Sequence, residues 1–511
     1  MDCVIGVDIG TQSTKALLVD AQGAVLARHS VAYQVSTPRP GWAEQWPQVW
    51  LEAVLACIAE CVRQAPGRVP GALCVSSLYG GSGIAVDGAC QPLYPCLIWM
   101  DRRAEAQVAR LQAELDLPAL QAATGNGIDS YYGFTKMLWL KEQQPEVWAR
   151  TRWLLPPNSY VNWVLTGEVA VDHSSAGNIG GVYDLEARAW SVPWLERLGI
   201  EPSKMPERLL YSDEVVGGLL PAMAEQLGLP AGLPVLAGGV DAAMATLAAG
   251  VSQPGNHVAM IGTSMCWGYL QPHADARHGL VSFPHVHNGQ RDLYCFGGAL
   301  TAGASVSWYR QGFCQAEIDA AAARGEDPHQ LLEAAAAHIP AGSDGVLFLP
   351  YLMGERSPIW DASASAAFIG LSLAHGKAHF YRAVLEGVSL ALRHNMQAGQ
   401  HAGQTLDPFL IVVGGAAHSD LWMQIIADVT GLPVRTLVDD VEAAHGAALL
   451  AARHAGLVSA EGLERGWVHL RERAQPEPRA QARYQRLFAQ YVQLYPLLKP
   501  AMHSLRGLRD E

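Results

Sequence analysis

The feature that most narrows what this chain can fold into is a hairpin written twice, half a chain apart. In Val4-Ile-Gly-Val-Asp-Ile9, Ile5, Val7 and Ile9 point to one face and Val4, Gly6 and Asp8 to the other. Strict alternation reads as a strand, and Gly10-Thr-Gln-Ser13 reads as its turn. A second strand is expected over 15–20, then a turn at Gln22-Gly23 and a third strand over 24–32. The pattern returns where Val258-Ala-Met-Ile261 runs into Gly262-Thr-Ser264 and then Cys266-Trp-Gly-Tyr-Leu270. A repeated strand, Gly-Thr-hydroxyl turn and strand indicates a duplicated unit with a cleft between the copies. With 511 residues the chain also exceeds what one hydrophobic core supports. Two domains, 1–245 and 246–511, are expected, divided within the Pro/Gly-rich stretch 230–255.

Between the hairpins, a helix is expected from Pro47, with Trp50, Leu51, Val54, Leu55, Ile58 and Val62 on one stripe. Phe380, Val384, Val388, Leu392 and Met396 step by four along another. A buried strand at 410–413 breaks at Gly414-Gly415, helices follow over 421–429 and 443–456, and a closing helix over 481–495 is expected to stop at Pro496. Alternating strands and helices place the chain in the α/β class.

Half the residues are apolar and 16% are charged, the balance of a globular protein. A formal net charge of −13 argues against a nucleic-acid surface but not against ATP, which backbone amides and a metal ion can hold locally. Met1-Asp-Cys-Val-Ile-Gly6 lacks the basic segment of a signal peptide, and no apolar run reaches membrane-spanning length. The nine cysteines are scattered with no Cys-x-x-Cys pair, as expected of reduced core thiols in a cytoplasmic protein.

A turn of Gly, Thr and Ser presents backbone amides and hydroxyls with little bulk, which suits phosphate oxygens, although such residues also occur in ordinary hairpin turns. No Gly-x-x-x-x-Gly-Lys-Ser/Thr sequence and no His-Arg-Asp or Asp-Phe-Gly signature is present, so neither a P-loop enzyme nor a protein kinase is expected. Asp241 follows the apolar run Val235-Leu-Ala-Gly-Gly239 and precedes an Ala-rich helix. Such a carboxylate can serve as a base at a strand end or simply cap the helix. His375 and His379 lack the Glu of a zinc-protease helix and read as solvated or capping groups. Gly80-Gly-Ser-Gly83 runs into the strand-like Ile84-Ala-Val86 and so is no nucleophile elbow. Arg473, Arg479 and Arg483 are expected on a solvated helix face.

These residues resemble the FGGY carbohydrate kinases, among them the xylulokinases, over 4–456. Gly6-Val-Asp-Ile-Gly-Thr-Gln-Ser-Thr-Lys15 resembles the family's first phosphate hairpin, and Trp42-Ala-Glu-Gln-Trp-Pro47 and Trp99-Met-Asp-Arg-Arg103 its amino-domain markers. Lys136-Met-Leu-Trp-Leu-Lys-Glu142 is similar to the first signature, with Gly133 where Pro, Ser or Thr is usual. Phe348-Leu-Pro-Tyr-Leu-Met-Gly-Glu-Arg-Ser-Pro358, Phe368-Ile-Gly-Leu371 and His379-Phe-Tyr-Arg-Ala-Val-Leu-Glu-Gly387 keep the order and spacing of the second. Gly414-Gly-Ala-Ala-His-Ser419 resembles the adenosine motif.

The resemblance implies two ribonuclease-H-like domains of the actin/hexokinase ATPase type, with ATP and sugar in the cleft between them. It implies Asp241 as general base and Asp8 as organiser of water on Mg²⁺. Thr11, Gln12, Ser13, Gly262 and Thr263 would meet the phosphates, and Gly303, Gly414, Gly415 and Ser419 the rest of the nucleotide. A homodimer is the family habit. Tyr79, Gly80, Trp99, Asp101 and Arg102, beside Asp241, are expected to face the sugar.

Leu78-Tyr-Gly-Gly81 stands where xylulokinases carry Gln-Met-His-Gly, Ala242 where Asn is usual after the base, and Ser365-Ala366 where Arg-Gly is common. Losing polar groups from a sugar loop changes or relaxes the choice of sugar. The expected reaction is phosphorylation of a small ketose, D-xylulose first, with gluconate, hexuloses or polyols as alternatives. A sugar-binding regulatory protein with residual ATPase activity is the reading from another class, and an actin-like filament or chaperone ATPase a third.

Overall fold

The computed structural model describes residues 2–273, 277, 279–401, 403, 405–438, 442–459 and 466–508. Two large sheets organise it. The first contains β1 (Cys3–Ile9), β2 (Ser13–Asp20), β3 (Val25–Ala32), β4 (Pro70–Ser77), β5 (Val215–Gly218) and β6 (Pro234–Val240), ordered β5-β6-β4-β1-β2-β3. The second contains β7 (His257–Ile261), β8 (Met265–Gln271), β9 (Val281–Pro284), β10 (Leu293–Ala299), β11 (Leu410–Val413), β12 (Val434–Leu437) and β13 (Leu470–Ala474), ordered β9-β10-β8-β7-β11-β12-β13.

Read from β3 and from β10, the two orders match over six strands, and the second sheet adds β9 at its edge. In each sheet a three-stranded antiparallel meander, β1-β2-β3 or β7-β8-β10, is extended by two strands parallel to its first, β4 and β6 or β11 and β12. The duplication read from the two hairpins is therefore one of whole sheets. The expected division at 245/246 falls inside a helix that follows β6 directly.

Eight helices position the site: α1 (Pro47–Gln64), α2 (Gly133–Gln143), α3 (Asp241–Ala248), α4 (Gly303–Phe313), α5 (Lys377–His401), α6 (Asp420–Thr430), α7 (Ala443–His454) and α8 (Pro478–Gly507). Helix α1 buries Trp50, Val54, Cys57, Ile58 and Cys61 against β1–β3. Val62, on the edge of the predicted stripe, is only half-buried. On the opposite face of β1 lies α7, a helix from the second half of the chain. A Cβ on Gly6 would come 2.1 Å from the carbonyl oxygen of Ala444, so only glycine lets helix and strand approach this closely. Gly446 does the same for the crossing of α7 over α3, where a Cβ would lie 2.0 Å from the Met244 carbonyl oxygen. Helices α3 and α7 thus form a seam between the two halves, and α3 begins at Asp241.

Two expectations are corrected. The closing helix does not stop at Pro496 but runs to Gly507 with Pro496 and Pro500 inside it. An interior proline removes a helix hydrogen bond at a cost of about 3 kcal/mol. Tertiary anchoring offsets this here: Tyr495 Oη and His503 Nε2 both donate to Asp361 Oδ2 at 2.6 Å, and Met502 is buried. Arg473 does not lie on a solvated helix face. It sits on β13 and donates to the Ala417 carbonyl at 2.7 Å, while Arg479 and Arg483 are on α8.

His375 and His379 act as capping groups, their Nδ1 atoms accepting the backbone N–H of Ser372 and Gly376. All nine cysteines are free thiols, Cys266 half-buried and the others buried. Among the described residues no helix is long and apolar enough to cross a membrane.

Candidate active site

Asp8 and Asp241 lie in the same sheet's strand-end region, near the end of β1 and directly after β6 with β4 between them, and the charge of Asp241 acts on Asp8. Asp8 lies one residue before the end of β1, opposite Ser76 in the parallel register, and its Oδ1 accepts the Ser76 hydroxyl at 3.0 Å. Across the antiparallel register is Lys15, which is ion-paired to Glu442 just ahead of α7. Asp241 is the first residue of α3. Val240 occupies the cap position, and Asp241 Oδ1 accepts the Ala242 N–H at 2.6 Å. Burial raises the proton affinity of both carboxyl groups, and the negative charge of Asp241 raises that of Asp8 further. The Asp241 charge also acts on Cys266, two residues past the second hairpin turn. One carboxylate therefore lies within electrostatic reach of both hairpins.

The two turns share their bonding. Gly10 N–H donates to Ser13 O at 2.9 Å, and Gly262 N–H to Ser264 O at 3.0 Å. In the first turn Thr11 Oγ1 accepts the Trp99 indole N–H at 3.1 Å, Gln12 is exposed, and Ser13 opens β2. The second turn is braced by the start of α4: Gly303 N–H donates to Gly262 O, and Ala302 and Ala304 N–H to Thr263 O. A Cβ on Gly303 would come 2.6 Å from Gly262 O, which is why glycine stands there.

Beside this turn opens a cavity of about 900 Å³ whose walls include Gly262, Thr263, Gly303, Gly415 and Ser419. Gly414, at φ 90°, places its Cα against the Ile261 carbonyl, and a Cβ there would come within 2.7 Å of that oxygen. Ser419 caps α6 by accepting the Trp422 N–H at 3.0 Å. Residues expected at the nucleotide from three separate segments thus come together, whereas Thr11, Gln12 and Ser13 lie on the other hairpin.

The residues expected at the sugar divide differently. Trp99 is half-buried and reaches the first turn through its indole. Arg102 is half-exposed and pairs with Asp129 at 2.8 Å. Asp101 does not face the cleft, contrary to expectation. It is wholly buried, accepts the Ala43 N–H at 2.6 Å and is ion-paired with Arg103 at 2.7 Å, so both its charge and its lone pairs are taken. Gly80 is likewise a packing position: its carbonyl accepts the Cys96 thiol, and a Cβ would lie 2.6 Å from Pro157. Tyr79 is buried, its hydroxyl accepting the Gly133 N–H at the start of α2 at 2.5 Å.

Four residues that composition and spacing did not single out surround this side. Tyr131 is the hub. Its ring lies 5.0 Å from that of Tyr79 and 6.4 Å from that of Trp360, its hydroxyl donates to Asn178 Oδ1 at 3.2 Å, and the Arg356 guanidinium sits 5.8 Å above its ring. The charges of Arg356 and Asp241 both act on its hydroxyl. Fully buried Lys136 donates to the Tyr131 carbonyl at 3.0 Å, and burial pulls its pKa down to about 7. Lys136 and Arg356 sit inside ordered motifs that could have flagged them. Tyr131 and Asn178 carry no local signal.

Duplicated sheets of this order, paired Gly-Thr hairpins and a half-buried carboxylate at their junction define a two-domain ATP-cleft phosphotransferase of the actin/hexokinase type. The amino-terminal domain model of the FGGY family of carbohydrate kinases matches residues 3–248, and its carboxy-terminal domain model residues 257–455. The chain is 31% identical to a xylulose kinase of Lactococcus lactis, with all of both chains covered. It is 28% identical to a gluconokinase of Bacillus subtilis, covering 83% of this chain and 82% of that one. The crystal structure of a xylulose kinase from Rhodospirillum rubrum matches with a TM-score of 0.89 at 33% identity, covering 98% and 100% of the two chains. The chain belongs to the FGGY family of carbohydrate kinases and is a sugar kinase.

Proposed function

We propose that this kinase phosphorylates a hydroxyl of a small ketose, D-xylulose the first candidate, with Asp241 as general base. The observation that carries the reading is the half-buried Asp241 carboxylate at the start of α3, a helix that leaves β6 in the first hairpin's sheet and packs against β8, the strand that leaves the second hairpin. The sugar oxygen attacks the γ-phosphorus of ATP, its proton passes to the Asp241 carboxylate, and the bond from the γ-phosphorus to the bridging oxygen of ADP breaks. A base of raised proton affinity accepts that proton near neutral pH more effectively than an ordinary carboxylate.

Thr11, Gln12 and Ser13 would meet the phosphates from one side and Gly262 and Thr263 from the other. Gly303, Gly414, Gly415 and Ser419 would line the nucleoside end. Asp8 offers the hard oxygen donor that suits Mg²⁺, and two mutually repelling carboxyl groups make a cation welcome. When bound, Mg²⁺ would neutralise charge on the phosphates. The Lys15–Glu442 ion pair ties the first hairpin to the seam helix α7 and so holds Asp8 in register.

ADP release measured across ketoses, aldonates and polyols tests the reading directly. Sugar-stimulated turnover is expected, and its absence with every sugar despite ATP binding would overturn it. Because the base must be unprotonated, kcat/KM for the sugar should fall as pH drops from neutrality through the raised Asp241 value. A pH profile at saturating MgATP with no acid limb would remove Asp241 from that role. Gly415 has nothing within 4 Å of an added Cβ and lines the 900 Å³ cavity. Gly415→Phe should therefore fill the nucleoside end without straining the backbone. The KM for ATP is expected to rise about tenfold or more with the melting temperature unchanged, as steady-state kinetics and calorimetry would show.

A further inference from the structure

The ends of β4 and β6 rest on a buried polar network that has no part in the proton transfer described above. Against β4, the register of β6 advances three residues, Leu236 to Gly239, where its partner advances two, Cys74 to Ser76. This is a bulge, and its extra residue turns every later side chain to the other face of the sheet. Gly238 takes the bend at φ 71°, where a Cβ would meet the Val75 carbonyl oxygen at 1.8 Å. Val240 and Asp241 follow directly, so the bulge sets the orientation in which the chain enters α3.

Three buried side chains, Asn158, Asp172 and Ser174, hold it there. Asn158, on the helix Pro157–Thr166, donates through Nδ2 to the Ala237 carbonyl at 3.0 Å and to Asp172 Oδ2 at 2.8 Å. Its Oδ1 accepts the hydroxyl of Ser77, the last residue of β4, at 3.1 Å, and the neighbouring Ser76 is the residue that bonds Asp8. Asp172 Oδ1 accepts the Ser174 hydroxyl and the Ser175 N–H. Ser174 Oγ in turn accepts the Val240 N–H at 3.1 Å, one residue before Asp241. Among the described residues no cation pairs with Asp172, and hydrogen bonds from Asn158, Ser174 and Ser175 meet its charge.

A buried anion without a cation is costly, and apolar side chains of similar volume often pack as stably. What apolar groups could not supply is a fixed acceptor for the Val240 N–H and a fixed donor for the Ala237 carbonyl. None of the three residues lines the 900 Å³ cavity, so contact with the nucleotide there does not explain them. We propose that Asn158, Asp172 and Ser174 are positioning residues for phosphotransfer: they clamp the β6 bulge from Ala237 to Val240 and so aim the Asp241 carboxylate at the sugar hydroxyl. The proposal rests on Asp241 acting as the base.

Ser174→Ala removes both the acceptor of the Val240 N–H and a donor to Asp172, whereas Ser77→Ala, a milder change, removes one donor to Asn158. ADP release is measured at saturating MgATP with whichever ketose, aldonate or polyol the wild type turns over fastest, in the wild-type and the Asp241→Asn backgrounds. Ser174→Ala should lower kcat about ten- to a hundredfold and Ser77→Ala about three- to tenfold, because a small misplacement of a reacting group suffices for such losses. The KM for ATP should not move. In the Asp241→Asn background neither substitution should lower kcat by more than about twofold, since no base is left to aim.

Equal losses in both backgrounds would overturn the proposal, because the network would then support the fold and not the base. Wild-type kcat in both single variants would overturn it too. Asp241→Asn turning over at the wild-type rate would overturn the base assignment and the proposal together. Should Ser174→Ala fail to fold, Ser77→Ala carries the same comparison.

Discussion

Asp241→Asn is expected to lower kcat by about 10²–10⁴ while leaving ATP affinity near that of the wild type. Asparagine keeps the shape and can still accept the Ala242 N–H, but it cannot take the proton of the attacking hydroxyl. Isothermal titration with ATP alongside steady-state kinetics separates the two effects. Loss of ATP binding would instead assign the carboxylate to the nucleotide site.

The same variant should melt higher than the wild type in the ligand-free protein at about pH 8. Asp8 and Asp241 both have raised proton affinity in the folded state. Between the ordinary carboxylate range and those raised values the folded chain holds protons that the unfolded chain has released. Stability from this pair is therefore complete in acid and is lost as pH rises. Removing one charge removes that loss, so the gap between variant and wild type should narrow as pH falls and close only at about pH 4, the ordinary carboxylate value. Equal melting temperatures at both pH values would mean that the proton affinity of Asp241 is not raised in the folded state.

The second large effect is expected at Gly6. Alanine there would place its Cβ 2.1 Å from Ala444 O and 2.5 Å from Ala448 N, both backbone atoms of α7, which cannot turn aside as a flexible side chain could. Relief requires shifting the whole helix off β1. Overpacking of this kind destabilises by about 1–3 kcal/mol, more when the obstacle is rigid. Because α7 also crosses α3, the shift should disturb Asp241 and lower kcat as well. Gly312→Ala is the control: it lies in α4 with nothing within 4 Å of an added Cβ, so it should leave stability the same or slightly raise it. Denaturant midpoints that fail to distinguish Gly6→Ala from Gly312→Ala would show that the seam is looser than its geometry.

How far the sequence carried can be judged from particular residues. Alternation in 4–9 located β1, and the apolar run 258–261 ending in Gly262-Thr-Ser264 located β7, because a strand covered on both faces reads as a short apolar run that its turn brings to a stop. Gly414-Gly415 marked the end of β11 for a similarly local reason. Pro496 misled because its local helix-breaking tendency is outweighed by contacts to Asp361, which is far away in the chain. Asp101 misled because its neighbour Arg103, two residues on, takes up its charge in the interior.

The sequence by itself determined the α/β class and the duplication, since each of these leaves a periodic or spaced imprint on nearby residues. Only the tertiary structure decided that α7 lies on β1 and that Tyr131, Asn178 and Arg356 meet. It alone also showed that Tyr79, Gly80 and Asp101 are spent on packing. Which partner a side chain finds across a cleft depends on how distant segments dock, and docking is governed by backbone approach and complementary burial that no local spacing records.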